Sequence, residues 1–371
     1  MRALSVFGTR PEAIKLAPVI LAMRDRPEIE HYICVTGQHR QMLDQVLQTF
    51  NIKPHFDLNI MRPNQDLAHV TSTVMTEIGP VLDEVKPDWV LVQGDTTSAF
   101  VAALAAFYRK AKVAHVEAGL RTGNIYSPWP EEMNRKLISQ VASLHLAPTD
   151  KAADNLRREA VPDKDILVTG NTVIDALQWV VKRMGEDAAF AREAERAFPE
   201  IDPKRRLILV TGHRRENFDG GLERVCIALR KLAERGDVQI IYPVHLNPRV
   251  RSVAQTVLAN HPAIHLIEPV DYLPFIAAMR RAYLIVTDSG GIQEEAPGLG
   301  KPVLVTRDTT ERPEAIEAGT ARLVGTSTES LLEAANELLD DAAAYRRMAQ
   351  ARNPFGDGKA SERIIARLTE L

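Results

Sequence analysis

Short apolar runs rich in β-branched residues alternate with longer stretches of helical periodicity along nearly the whole chain, and this alternation limits the fold more than any other feature. The first half carries ALSVFG, HYICVTG, DWVLVQG, KVAHVEAG, SLHLAPT and DILVTG; the second carries RLILVTGH, VQIIYPVH, AIHLIEP, AYLIVTDSG, KPVLVT and ARLVGT. Each run is brief and nearly continuously apolar, the mark of a parallel strand covered by helices on both faces. The stretches between them, such as Ser98–Lys110 and Leu222–Arg235, hold apolar residues at helical spacing. Alternation of this kind predicts α/β architecture with two Rossmann-like, doubly wound parallel-sheet domains facing a cleft. The boundary falls between Gly170 and Arg206, where the helical run Asn171–Met184 gives way to a charged stretch ending in Asp202-Pro203-Lys204.

The 371 residues supply enough apolar material, 45% of the chain, for two cores at roughly 150 residues per domain. A formal net charge of −3 gives no bulk attraction to nucleic acid or to anionic membranes, so an anionic ligand must be held by local cations and backbone amides. Cys34 lies in a strand-like run and Cys226 in a helical one, and both read as buried small hydrophobes. No Cys/His spacing suits a metal, and none is expected. Met1 leads directly into the first strand and no apolar run approaches a membrane span, so a cytoplasmic protein is expected. No GxGxxG follows the first strand and no GxxxxGK[ST], HExxH or GxSxG occurs. NAD is therefore not expected, nor any other cofactor.

The strands stop at polar or glycine-bearing clusters: Gly8-Thr9-Arg10, Gly94-Asp95-Thr96, Glu117-Ala118-Gly119, Gly212-His213-Arg214 and Asp288-Ser289-Gly290-Gly291. In open parallel sheets ligands bind beyond the carboxyl ends of the strands. Ser289-Gly290-Gly291 opens a helix, where free amides suit a phosphate, although a plain strand-to-helix turn reads the same. Glu294 and Glu295 follow; a carboxylate there suits ribose hydroxyls, and capping and the helix dipole explain at least one of them equally well. Arg10 and Lys15 together resemble a diphosphate clamp. Asp95 is a site acid or an N-cap. Glu117 precedes Ala-Gly, a poor capping context, which favours a site role. Glu131 and Glu132 follow Pro128-Trp129-Pro130, and either is explained as a first-turn helix acid. Several carboxylates around an anion site would repel the ligand unless some of them move protons. His213 suits a phosphate donor or an acid near neutral pH, with Arg215 and Glu216 beside it.

In this order the residues resemble the bacterial non-hydrolysing UDP-N-acetylglucosamine 2-epimerases. The stretches that carry the likeness include VFGTRPEAIKLAPVI, TGQHRQMLDQVL, GDTTSAF, HVEAGLRTG, YSPWPEEMNR, TGNTVIDA, TGHRREN, PVHLNP, EPVDYLPF, TDSGGIQEEAPGLGKPVLVTRDTTERPEA and AGTARLVG. The resemblance implies a glycosyltransferase-B-like fold with domains at 1–170 and 171–357. It also implies a C-terminal helix, about 358–371, that packs back on the first domain. It implies interconversion of UDP-N-acetylglucosamine and UDP-N-acetylmannosamine, for bacterial surface polysaccharide precursors. Catalytic roles are implied for Asp95, Glu117, Glu131 and His213. Substrate contacts are implied for Arg10, Lys15, Asp95, Glu117, His213, Phe275, Ser289, Gly290, Gly291, Glu295 and Arg312. UDP-N-acetylglucosamine is implied a second time, as an allosteric activator near Gln38, Gln41 and His245, and a homodimer is implied as the assembly. Two positions depart from the pattern. Val270 stands where glutamine is frequent, which puts a uracil contact through that side chain in question, and Asn64 stands where some members have arginine.

The chemistry fits residues of these types. No carbonyl adjoins carbon 2 of the sugar to acidify its hydrogen, and without NAD a neighbouring carbon is not readily oxidised. Expelling UDP as the C2 proton leaves gives 2-acetamidoglucal, and re-addition from the other face gives the epimer. That route needs an acid and a base on opposite faces and cations for the departing diphosphate. A glycosyltransferase of the same fold and a non-catalytic UDP-sugar sensor are the alternatives. Neither needs proton transfer at carbon 2.

Overall fold

The computed structural model describes residues 1–37, 40–62, 65–199, 201–214 and 217–370. The chain forms two compact units, Met1–Ala176 with Phe355–Leu371, and Leu177–Pro354.

The first unit is built on seven parallel strands: β1 (Arg2–Phe7), β2 (Glu30–Val35), β3 (Phe56–Asp57), β4 (Trp89–Gln93), β5 (Lys112–Val116), β6 (Leu144–Ala147) and β7 (Ile166–Val168), in the order β3-β2-β1-β4-β5-β6-β7. Six of these were expected. The seventh, β3, is two residues long and carries no periodicity from which to read it. The central strand β4 is fully buried, and its neighbours β1 and β5 are buried beyond their first residues, as continuous apolar runs require. One core cluster joins Leu4, Val6, Val90, Val92 and Val113 of the sheet to Ala99, Ala102, Ala103 and Ala106 of the helix Thr97–Tyr108. Small side chains on that helix let its backbone lie close to the sheet.

The helix Ala360–Glu370 belongs to this unit and lies against the helix Arg10–Arg24. Asp175 accepts from the amides of Ala360 at 3.2 Å and Ser361 at 2.7 Å, satisfying donors that a helix start leaves open. Arg363 donates to the carbonyl of Thr169 at 2.9 Å.

The second unit carries six parallel strands: β8 (Arg206–Thr211), β9 (Val238–Pro243), β10 (Ile264–Ile267), β11 (Leu284–Thr287), β12 (Val303–Val305) and β13 (Ala321–Leu323), in the order β10-β9-β8-β11-β12-β13. Its core brings Ile208, Val210, Ile240, Val286 and Leu304 against Val225, Cys226, Leu229 and Leu232 of the helix Gly221–Ala233. Cys226 and Cys34 are both fully buried free thiols, and burial pushes each up to about 12. Both units are thus doubly wound α/β sheets. No helix among the described residues is long and apolar enough to cross a membrane.

Candidate active site

Where strand order reverses, the loops on either side leave the sheet in opposite directions and open a crevice at its carboxyl edge. The reversal lies between β1 and β4 in the first unit and between β8 and β11 in the second. Four of the polar clusters picked from the sequence occupy those positions: residues 8–10 after β1, 94–96 after β4, 212–214 after β8 and 288–291 after β11.

In the first unit a buried carboxylate spans the crevice. Glu12, 2% exposed, accepts through Oε2 from the amides of Gly8 at 3.0 Å and Thr9 at 2.7 Å. Its Oε1 accepts from the Thr96 hydroxyl at 2.6 Å. Burial raises the Glu12 carboxyl, and these hydrogen bonds oppose the rise. Arg10 begins the helix that Glu12 anchors, with Pro11 at its second position.

Glu117 follows β5 with φ at 64°, a left-handed conformation that glutamate seldom adopts and that costs about 1–3 kcal/mol. Its side chain is buried and firmly seated. Oε1 accepts from Lys15 Nζ at 2.5 Å and Asn171 Nδ2 at 2.9 Å, and Oε2 accepts from Gln93 Nε2. Lys15, expected as half of a diphosphate clamp, therefore carries an ion pair to Glu117 with only 18% of its side chain exposed.

Asp95 is not the helix cap. Thr96 takes that role, its hydroxyl accepting from the Ala99 amide at 3.0 Å. The Asp95 carboxylate instead meets Arg135, with Nε at 2.8 Å and Nη2 at 2.7 Å from Oδ2. Asn134 donates to the Asp95 carbonyl at 2.9 Å. The adjacent glutamates, alike in sequence, differ in burial. Glu132 is fully buried and accepts from the amides of Thr122 and Gly123 at 3.1 Å and from Arg135 at 3.0 Å. Glu131, first residue of the helix Glu131–Val141, is only half-buried. Glu132 is thus held by the fold, whereas Glu131 is the more exposed of the two.

In the second unit His213 is 45% exposed and stands 3.6 Å from the Asp288 carboxylate through Nδ1. Its ring stacks on His245, with centroids 5.1 Å apart and planes 14° from parallel. Burial lowers the His213 imidazole, Asp288 pulls it up, and His245 and Arg214 push it down. Ser289 precedes the helix Gly290–Glu295 in extended conformation, and its hydroxyl makes no capping hydrogen bond to that helix. A side chain at Gly290 or Gly291 would meet nothing closer than 3.9 Å and 4.0 Å respectively. Neither has a positive φ, so the fold itself does not demand glycine at either position. Gly119 contrasts with them: its φ is +89°, and a Cβ there would lie 2.2 Å from the Ala152 carbonyl oxygen. The packing of the fold thus gives no steric reason for glycine at residues 290–291. Glu294 is buried against Arg312, while Glu295 is 9% exposed and lies 4.0 Å from a Cβ placed on Gly291. Phe275 is half-buried in the helix Tyr272–Arg281.

Of the positions expected to meet an activator, Gln41 is exposed on the helix Arg40–Thr49 of the first unit, and His245 is exposed in the second. Gln38 and Asn64 lie outside the described residues, as do Arg215 and Glu216.

Sequence reasoning did not single out Gln93, His115, Asn134, Arg135 or Asn171. His115 donates from Nε2 to the Gly94 carbonyl at 2.7 Å, fixing the turn before Asp95, and burial drives it down to about 3. The contacts of these residues to Gly94, Asp95 and Glu117 join segments far apart in the chain. Only Arg135 carried a local signal, its spacing from Glu131 and Glu132 on one helix.

The family described as UDP-N-acetylglucosamine 2-epimerase matches residues 21–369. The UDP-N-acetylglucosamine 2-epimerase of Escherichia coli (strain K12) is 53% identical over 369 residues, covering 99% of this chain and 98% of its own. The crystal structure of UDP-GlcNAc 2-epimerase from Neisseria meningitidis bound to UDP-GlcNAc is similar with a TM-score of 0.90 and 49% identity, and covers 100% of both chains. A glycosyltransferase of kitacinnamycin has a TM-score of 0.64 at 13% identity over 99% of both chains, a likeness of fold alone.

Proposed function

The chain belongs to the UDP-N-acetylglucosamine 2-epimerase family, an isomerase with a glycosyltransferase-B-like fold, and on that premise we propose how it inverts carbon 2 of UDP-N-acetylglucosamine. A carboxylate takes the C2 proton while the C1–O bond to UDP breaks, and the electrons of the C–H bond form the C1–C2 double bond of 2-acetamidoglucal. A second acid returns a proton to the opposite face of C2 as the diphosphate oxygen re-forms its bond to C1. The product is UDP-N-acetylmannosamine, and no atoms are gained or lost.

Asp95, Glu117 and Glu131 are the acids from which the proton-transfer pair is drawn. Arg10, Lys15, His213 and the amides of Gly290 and Gly291 carry the charge of the departing diphosphate. Phe275, Ser289, Glu295 and Arg312 hold the nucleotide. Arrival of the diphosphate gives Lys15 a second anion besides Glu117, and sharing the ammonium loosens Glu117's hold on it. The observation that carries this reading is the seating of Glu117. A buried carboxylate kept in a left-handed conformation by three side-chain donors is the kind of strain that function retains.

UDP-N-acetylglucosamine also binds as an activator, with Gln38, Gln41 and His245 as its contacts. The protein works as a cytoplasmic homodimer supplying surface-polysaccharide precursors. Proton NMR of the purified chain with UDP-N-acetylglucosamine in heavy water tests the reaction. Deuterium enters at C2 of both epimers without any acceptor present. Retention of the C2 hydrogen through turnover refutes elimination, and sugar transfer only on adding an acceptor identifies a transferase.

A further inference from the structure

Asp288 follows β11 and is 1% exposed. Its Oδ2 accepts from the amides of His213 and Arg214, both at 2.8 Å, and so joins the loops on the two sides of the second reversal. Its Oδ1 is also buried, yet has no hydrogen-bond partner among the described residues. Native proteins seldom leave a buried carboxylate oxygen unsatisfied, and each exception calls for a reason. The group facing it is His213 Nδ1, at 3.6 Å, just beyond hydrogen-bond range. The His213 ring stacks on His245, and a small turn within its own plane would close the gap while keeping that stack. Hydrogen bonds of catalytic groups are often long in the absence of ligand and tighten on binding.

We propose that Asp288 is the positioning residue for His213: it accepts a hydrogen bond from Nδ1–H, so that the ring takes its second proton on Nε2, facing the leaving diphosphate. The proposal rests on the assignment of His213 to UDP made above. Asp288 sets the tautomer, because a ring whose Nδ1–H is committed to a carboxylate leaves Nε2 bare. A bare Nε2 cannot donate to a phosphate oxygen until it is protonated. Without ligand, burial, His245 and Arg214 outweigh Asp288 and favour the neutral ring. The diphosphate adds negative charge on the far side of the imidazole, and between two anions the imidazolium becomes the stable form. The histidine is thereby a cation formed on demand, present when the C1–O bond breaks and absent when the site is empty.

The test is nitrogen NMR of the full chain labelled at histidine, with His213 identified by the signal lost in His213→Gln. In the unaltered protein the neutral ring carries its proton on Nδ1, and UDP raises the pH of its transition by one unit or more. In Asp288→Asn the side-chain amide faces Nδ1, the neutral proton moves to Nε2, and the response to UDP shrinks at least tenfold in proton affinity. Turnover falls about 100-fold with a smaller change in KM, and Asp288→Glu restores part of it. A neutral His213 in the unaltered chain with its proton on Nε2 overturns the proposal, even if Asp288→Asn does not fold. An unchanged UDP response in folded Asp288→Asn overturns it equally. If UDP moves no His213 signal in the unaltered chain, the assignment of His213 to UDP fails instead, while the tautomer still decides whether Asp288 and His213 are paired.

Discussion

Replacing Gly291 by alanine separates the demands of the fold from those of the ligand. A Cβ at this position meets only Glu295 Oε2 and Ser289 Oγ, each at 4.0 Å, which is ordinary van der Waals contact. Alanine also loses less backbone freedom than glycine on entering a helix, so stability changes by between zero and about +1 kcal/mol. If a phosphate oxygen approaches the amides there, the added methyl group displaces it. Hydrogen bonds to a charged group are worth about 1.5–3 kcal/mol each, so UDP affinity falls roughly ten- to a hundredfold. Gly119→Ala is the control. Its Cβ would lie 2.2 Å from a carbonyl oxygen with φ at +89°, which costs about 3 kcal/mol or more. For a unit of this size that lowers Tm by about 6–12 °C. Calorimetric melting and UDP titration of both variants measure the two effects. A Gly291→Ala chain that melts as the parent does and binds UDP with unaltered affinity refutes the reasoning, because the glycine would then serve neither fold nor ligand.

Glu131→Gln is expected to leave Tm nearly unchanged and cut turnover by about 100-fold. Glu132→Gln breaks a buried, hydrogen-bonded ion pair with Arg135 and costs about 3–5 kcal/mol of stability; thermal melts and deuterium incorporation score the two variants side by side. Acid also weakens the first unit, through His31 and His145, each held down to about 4 by burial, and His115 at about 3. Histidines whose folded values lie below the unfolded one bind their protons mainly on unfolding. Their stabilising effect is complete above about pH 6.5 and is lost as the pH falls towards the folded values. Between pH 8 and pH 5 each group removes about 2 kcal/mol. Urea titrations across that range should show the loss, and a flat profile would mean that these imidazoles charge without cost in the folded chain.

Period and composition were enough to read the doubly wound sheets, because a strand covered on both faces leaves an unbroken apolar run. They missed β3, since two residues cannot display a period. The acids at strand ends were also legible: Glu117 stood out for its poor capping context, and the structure gives it three donors. What could not be read is what those acids touch. Asn171, Gln93 and Lys15 reach Glu117 from three separate segments, and no spacing rule links them. Glu131 and Glu132 are interchangeable on paper. Only the two loop amides and Arg135 converging on Glu132 distinguish them. Nor does any pattern foretell that His245 stacks on His213.

The carboxylate of Glu12 fastens the turn after β1 to the hydroxyl that starts the next segment beyond β4. Because one buried anchor holds both turns, their spacing is set by the fold itself. The entropy of arranging them is surrendered once, during folding, and is not charged against every catalytic cycle. A drift of either turn is inherited by the other, so wear at this hinge pin would blunt Arg10 and Asp95 together.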